Sequence, residues 1–166
     1  MQNSKKSRLS CFKAYDVRGR VPDELNEDLA FKIGQAFATF LSARRVVVGY
    51  DIRLSSKDLV SALSQGLTTC GVEVLDIGLC GTEEVYYATG ALDADGGIMV
   101  TASHNPAEYN GMKFVRREAR PISSDTGLVE IQKMVLDDSS FIKGTASGSI
   151  HNQENIRGRY VEHILS

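Results

Sequence analysis

The stretch GGIMVTASHNP, residues 96–106, decides how the remainder of the chain is read. Residues 97–101 form a short apolar run behind a turn signal, which predicts a buried β-strand. Beyond it Ser103 and His104 stand side by side, and Pro106 stiffens the chain that follows. A serine next to a histidine suggests a hydrolase. Neighbours in an extended segment point in opposite directions, however, so His104 is badly placed to take a proton from Ser103. No G-x-S-x-G elbow surrounds the serine, and the other histidines, His151 and His163, fall in a polar connector and a terminal helix. An acyl-transfer triad is not expected.

Outward from this stretch, helices alternate with short apolar strands. Leu25, Leu29, Ile33, Phe37 and Leu41 recur every four residues with Glu27 and Asp28 in the first turn, the pattern of an amphipathic helix. Residues 46–50 predict a buried strand. Ser55 and Asp58 have capping-box spacing ahead of a helix marked by Leu59, Leu63 and Leu67, which Gly71 ends. Strands over 72–77 and 112–115 and helices over 83–92 and 127–136 complete the series. Such alternation predicts an α/β layered fold with a largely parallel sheet.

Composition narrows the function classes. The 166 residues are 42% hydrophobic and 24% charged, enough for one domain that buries roughly 70% of its unfolded surface. A formal net charge of −2 leaves no basic footprint for nucleic acid or anionic lipid. Lys5, Lys6 and Arg8 belong to a polar tail over residues 1–9 and read as solvated charges. The sequence has neither an apolar run of membrane-spanning length nor a signal-peptide pattern. Cys11, Cys70 and Cys80 are odd in number and lack a C-x-x-C pair, which points to reduced thiols in the cytoplasm. Walker and dinucleotide loops are absent. Residues 93–97, DADGG, hint at a calcium loop, but its twelfth position is His104 where a bidentate Glu belongs, so a tight turn is expected.

Four stretches gain specificity from their order: KAYDVRG (13–19), GYDIR (49–53), TASHNP (101–106) and YNGMK (109–113). Together they resemble the N-terminal domain of the α-D-phosphohexomutases, the phosphomannomutase and phosphoglucomutase family, over about residues 10–166. DIG (76–78) with GTEE (81–84) resembles the bacterial phosphomannomutase branch that feeds GDP-mannose synthesis. The resemblance implies a three-layer α/β/α fold with a mixed, mostly parallel sheet. It implies that Ser103 is a phosphoryl carrier. As a phosphoserine it would donate to a hexose phosphate, forming a hexose 1,6-bisphosphate, then take back the other phosphoryl group after the sugar reorients. Hexose 6-phosphate and hexose 1-phosphate would thereby interconvert, with mannose as the expected sugar. Ser103, His104, Lys113 and Arg18 would be catalytic, His104 and Lys113 moving protons and orienting phosphate, Arg18 holding the phosphoserine region. Tyr15, Lys13 and Asn105 would bind substrate or phosphate, and Mg²⁺ would be held in part by Ser103 through its phosphate. Such chemistry asks for positioning and charge neutralisation rather than a triad.

The resemblance also implies an incomplete enzyme. Family mutases set four domains around one cleft, and the second supplies an aspartate-rich D-G-D-x-D-R loop for Mg²⁺ that this sequence lacks. Residues 10–136 are expected to form domain 1, and 137–151, rich in Ser, Gly and Asp, a flexible connector. Residues 152–166 are expected to form a helix leading into a missing domain 2. Ile156, Tyr160 and Ile164 give it an apolar stripe, with Val161 and Leu165 beside them. That helix is expected to dock on a partner domain or, without one, to pair with another copy, pack back on the domain or fray. A fragment of this kind is expected to be inactive alone, its partners being the sugar phosphate and the parent enzyme's remaining domains, not nucleic acid or membrane. The alternative is a non-catalytic binding or structural module of the same fold, which would have little reason to keep Ser103, His104, Lys113 and Arg18.

Overall fold

Val46, Val47 and Val48 send successive side chains to opposite faces of a sheet, and all three are fully buried. Both faces are therefore covered. The computed structural model describes residues 9–137, 141, 142, 144 and 146–166; of the expected tail only Leu9, which is buried, lies among the described residues. Strands β1 (Val17–Arg20), β2 (Arg45–Tyr50), β3 (Glu73–Leu79), β4 (Gly96–Val100), β5 (Tyr109–Arg116), β6 (Arg120–Pro121) and β7 (Ser149–Asn152) form one sheet. Its order is β1-β5-β4-β2-β3-β7, with β6 beside β5. β2 is parallel to β3 and β4, and β3 to β7. β5 is antiparallel to β1, β4 and β6. One reversed strand thus accounts for every antiparallel pairing, and the sheet is mixed while its other strands share a direction.

Helices α1 (Glu27–Leu41), α2 (Ser56–Thr69) and α4 (Leu128–Asp137) cover one face, packing on Val46, Val48, Ile98 and Val100. Helices α3 (Thr82–Ala91) and α5 (Ile156–Leu165) cover the other, over Val47, Leu75 and Met99. This is the three-layer α/β/α arrangement. α1 begins after Leu25 because Asn26 caps it, its Oδ1 accepting the Leu29 N–H at 3.0 Å. Gly71, at φ 80°, ends α2 in the left-handed conformation that glycine adopts without strain. The capping box expected at Ser55 is corrected: Ser55 makes no side-chain cap, and its hydroxyl instead accepts from Asn110 Nδ2.

The connector expected over 137–151 is corrected at its far end. Ser149–Asn152 forms strand β7, in parallel register with Glu73–Asp76, and Gly148 N–H donates to Thr68 O at 2.8 Å. Residues 138–140, 143 and 145 lie outside the described residues. Phe141 packs against the larger core, and Ile142 N–H donates to Thr39 Oγ1 at 3.1 Å. The final helix packs back on the domain. Ile156 is buried, the Tyr87 and Tyr160 rings stand 5.6 Å apart, and Arg157 Nε donates to Glu84 Oε1 at 2.8 Å. Ile164, expected on the same stripe as Ile156 and Tyr160, is 63% exposed, as Val161 and Leu165 are exposed too.

The DADGG stretch forms the turn before β4 and the strand's first two residues, and Asp95 is its anchor. Its Oδ2 accepts the N–H groups of Arg44 and Arg45 at 2.8 and 3.1 Å, and Arg117 Nη2 donates to Oδ1 at 2.6 Å. Burial pushes this carboxyl up, but the backbone bonds and the Arg117 guanidinium outweigh it and hold the group below its ordinary value. A carboxyl depressed by folding stabilises above its unfolded titration range and loses that contribution as pH falls through its folded value. Asp95→Ala should cost about 2 kcal/mol at pH 7. The gap between variant and parent should begin to narrow as pH falls below about 4, the ordinary aspartate range, and close only as pH passes through the depressed folded value. Urea melts at pH 7 and pH 3.5 check both parts, and a gap independent of pH refutes the assignment.

Candidate active site

The loops that leave the carboxyl ends of β2 and β4 meet at the edge where open α/β sheets take ligands. Residues 101–106 do not continue β4 as an extended segment. They turn at Ser103, whose φ of 55° lies in the left-handed region and costs about 1–2 kcal/mol for a residue with a Cβ. The opposed-neighbour argument for Ser103 and His104 therefore does not apply to them: both are exposed on a turn, with Asn105 half-buried beside them.

Hydrogen bonds hold this backbone. Asn105 donates to Ala102 O through both Nδ2, at 2.8 Å, and its own N–H, at 3.1 Å. Ser103 N–H donates to Thr101 Oγ1 at 3.0 Å, and Thr101 Oγ1 donates to Asp51 Oδ2 at 2.7 Å. Asp51 Oδ1 accepts from Ser56 Oγ at 2.8 Å and from Arg53 N–H at 3.2 Å. Below them Asn110, fully buried, donates through Nδ2 to the Ser55 and Ser56 hydroxyls at 2.9 and 3.0 Å. The two serines at the start of α2 thus serve the loop network rather than their own helix.

Strand register brings Arg18 and Lys113 alongside. Arg18 pairs with Gly111, Gly111 O accepts the Thr101 N–H at 2.9 Å, and Lys113 pairs with Met99. Val17, Met112 and Phe114 pack into the larger core, so by alternation Arg18 and Lys113 share the opposite face. Gly111 lies between β1 and β4 where a Cβ would run into the carbonyls of Val17 and Thr101. Arg18 Nη2 reaches Asp16 Oδ1 at 3.5 Å, while its buried Nε has no hydrogen-bond partner among the described residues. Tyr15, 80% exposed, projects from the turn before β1. Lys13 Nζ donates to Ser10 O at 2.6 Å. Ser103, His104, Asn105, Arg18 and Lys113 are thus gathered at one edge; Tyr15 and Lys13 belong to the turn that precedes β1.

Sequence reasoning passed over Asp51, Arg53, Thr101 and Asn110 as site residues. The signal was present: Asp51 and Arg53 form a D-x-R directly behind an apolar strand, within a stretch already singled out. Among the described residues no group of three or more His, Cys, Asp or Glu comes together that could hold a metal ion. No helix among them is long and apolar enough to cross a membrane.

The family described as phosphoglucomutase/phosphomannomutase, alpha/beta/alpha domain I, matches residues 10–140. A phosphohexose mutase of Xanthomonas campestris pv. campestris is 58% identical over 158 residues, 95% of this chain and 35% of the relative. The phosphomannomutase of Escherichia coli K12 is 52% identical over 159 residues, with the same shares. A Klebsiella pneumoniae phosphomannomutase is 59% identical over 128 residues, 77% of this chain and 82% of that protein. The crystal structure of a phosphoglucomutase/phosphomannomutase family protein from Burkholderia thailandensis superposes with a TM-score of 0.85 at 38% identity, over 95% of this chain and 35% of that one. The chain thus spans about a third of the length of most of these relatives.

A thiol nucleophile does not fit this edge. Burial pushes the thiols of Cys11 and Cys80 up to about 12, which leaves a thiolate fraction of about 10⁻⁴ at pH 8. Alkylation at pH 8 should therefore be at least 100-fold slower at both in the native protein than after denaturation. Site-resolved mass spectrometry checks this, and rapid native labelling of Cys80 contradicts it.

Proposed function

The chain belongs to the phosphoglucomutase/phosphomannomutase family as an α/β/α domain I, and from that premise we propose that Ser103 is the phosphoryl carrier of a hexose-phosphate mutase. The observation that carries the reading is the Ser103 turn itself: an exposed hydroxyl on a left-handed backbone, with Arg18 and Lys113 on the adjoining sheet face. A hydroxyl so presented is open to a substrate, and cations beside it neutralise phosphate charge.

In the proposed reaction the Ser103 phosphoester donates first. The free hydroxyl of a hexose monophosphate attacks phosphorus, the bond from phosphorus to Ser103 Oγ breaks, and the sugar's proton ends on Oγ. The product is a hexose 1,6-bisphosphate. After the sugar turns over, Oγ attacks the other phosphorus and the proton returns to the sugar oxygen released. His104 and Lys113 carry the proton between these oxygens and orient the phosphate. Arg18 holds the phosphoserine region, and Asn105 fixes the turn through its bonds to Ala102 O. Tyr15 and Lys13 contact the substrate once the cleft is complete. Mannose phosphate is the preferred substrate, in keeping with the names of the Escherichia coli and Klebsiella relatives. Sugar phosphates of this kind are consistent with a cytoplasmic setting.

The residues present do not fit Mg²⁺ on their own. Octahedral Mg²⁺ wants carboxylate oxygens beside phosphate. Asp51, the carboxylate of the loop network, is already engaged by Thr101, Ser56 and Arg53. Ser103 would contribute a phosphate oxygen, and the remaining ligands would come from further domains of a parent enzyme. The 166 residues are therefore an inactive fragment in this reading, since losing one charge-stabilising element typically costs 10²–10³-fold.

Two outcomes are expected. In the full-length enzyme, mass spectrometry finds phosphate on Ser103, and Ser103→Ala lowers turnover of mannose 1-phosphate at least 10³-fold. The 166-residue chain, given mannose 1-phosphate, Mg²⁺ and a hexose 1,6-bisphosphate, forms no mannose 6-phosphate. Unchanged turnover in Ser103→Ala refutes the carrier reading; steady turnover by the chain alone refutes the fragment reading. A phosphate-free Ser103 in an active enzyme would favour the binding or structural role for this domain.

A further inference from the structure

Arg53 is the most heavily bonded side chain at the ligand edge, and it faces backbone rather than solvent. Its side chain is 13% exposed. Nη1 donates to Pro106 O at 2.7 Å and Tyr109 O at 3.0 Å; Nη2 donates to Ser103 O at 2.9 Å and Asn105 O at 2.7 Å. Nε lies 3.4 Å from Asp51 Oδ2. Both terminal nitrogens are thus spent on carbonyls of one turn, and the third faces a carboxylate. A guanidinium engaged in this way has nothing left for a substrate phosphate. Arg53 therefore cannot be one more phosphate-binding cation of the cleft.

We propose that Arg53 is a positioning residue, which together with Asp51 and Thr101 locks the 103–109 turn so that Ser103 holds one left-handed conformation throughout the reaction. The inference rests on the carrier reading of Ser103 given above. The chemistry explains why such a lock is needed. The same Oγ gives up a phosphoryl group to one end of the sugar and accepts one from the other end, so it serves two transfers from a single position. A left-handed non-glycine residue is not a conformation the chain keeps unaided. Here the backbone is tied from both sides of the serine peptide: Thr101 Oγ1 takes the Ser103 N–H, and Arg53 Nη2 takes the Ser103 carbonyl. Asp51 joins the two ties, accepting from Thr101 at 2.7 Å while facing Arg53 Nε. Lysine keeps the charge opposite Asp51, but its single ammonium cannot span four carbonyls as the planar fork does.

The test is Arg53→Lys in the full-length enzyme, with Ser103 phosphorylation read by mass spectrometry. Single-turnover transfer from labelled phosphoserine to a saturating hexose monophosphate should slow about 100-fold, the scale expected when a reacting group is misplaced by about an ångström. KM should move by less than about threefold, because Arg53 does not touch the sugar. Hydrogen exchange on the 166-residue chain should accelerate for the amides of residues 103–109 and not for those of β2 and β4. A merely structural role would lower the melting temperature without separating the transfer rate from KM. Should Arg53→Lys fail to fold, Thr101→Val removes the other tie at nearly constant shape and is judged by the same rate, with at least a tenfold loss expected. A saturating transfer rate within tenfold of the parent, in whichever variant is folded, overturns the proposal, as does a change confined to KM. The carrier reading fails differently: the unmutated enzyme turns over with no phosphate on Ser103, and the positioning role then falls with it.

Discussion

The ligand edge depends on the two oxygens of Asp51. They join the end of β2, the loop after β4 and the start of α2, through Arg53, Thr101 and Ser56. A carboxylate only 23% exposed gives up much of its hydration, and the bonds it accepts offset that loss at about 1.5–3 kcal/mol for each charged one. The arrangement is close to all or nothing. Without Asp51, the guanidinium of Arg53 would be left nearly buried with no countercharge, a far larger penalty than one missing hydrogen bond. Rigidity at this edge therefore comes from a polar network, while the apolar cores on the two sheet faces fix only where that network sits.

Strand direction explains how so much is gathered by so few residues. β5 is antiparallel to both β4 and β1, so its first residues lie beside the last residues of those two strands. The short excursion from Val100 to Tyr109 carries the serine turn, and the returning strand immediately supplies Asn110, Gly111 and Lys113. The next strand across, β1, sets Arg18 against Gly111. Gly111 is what lets three backbones approach this closely, since any side chain there would strike two carbonyls. A parallel crossover would have needed a dozen or more residues to return and would have brought β5 back starting from the opposite end.

The parts of the fold that were legible in the sequence are those where burial imposes a period. The stripe of α1 and the apolar runs of β2, β3 and β4 read correctly because each faces a core. β7 was not legible: its residues, Ser-Ile-His-Asn, are all exposed on an edge, so nothing makes them alternate, and their pairing with β3 is backbone alone. β1 was hidden similarly, its glycine and two arginines disguising a strand with Val17 buried. The capping box at Ser55 misled because spacing cannot reveal a competitor, and Asn110, 55 residues away in sequence, claims that hydroxyl. The serine turn itself was found through its resemblance to a family. Its lock was missed because the D-x-R behind β2 does not show, in sequence, that the guanidinium meets four carbonyls fifty or more residues on.

The residues at this edge are of two kinds, exposed groups and withdrawn ones that fix geometry. Exposed groups such as Ser103 and His104 cost almost nothing in desolvation and are free to meet a ligand. Groups that fix geometry, Asn110 and Arg53 above all, are withdrawn from solvent, where each hydrogen bond is stronger and an unmade one is expensive. Swapping the roles would fail on both counts: a solvated clamp would be loosened by competing water, and a buried hydroxyl would have no path to a ligand. The roughly 1–2 kcal/mol stored in the left-handed Ser103 is small beside the bonds that hold it, so the turn is stable before any ligand arrives. In the reaction proposed for Ser103, where one oxygen would act twice, pre-organisation of that kind means that the ordering cost is met once, at folding, and not again at each transfer.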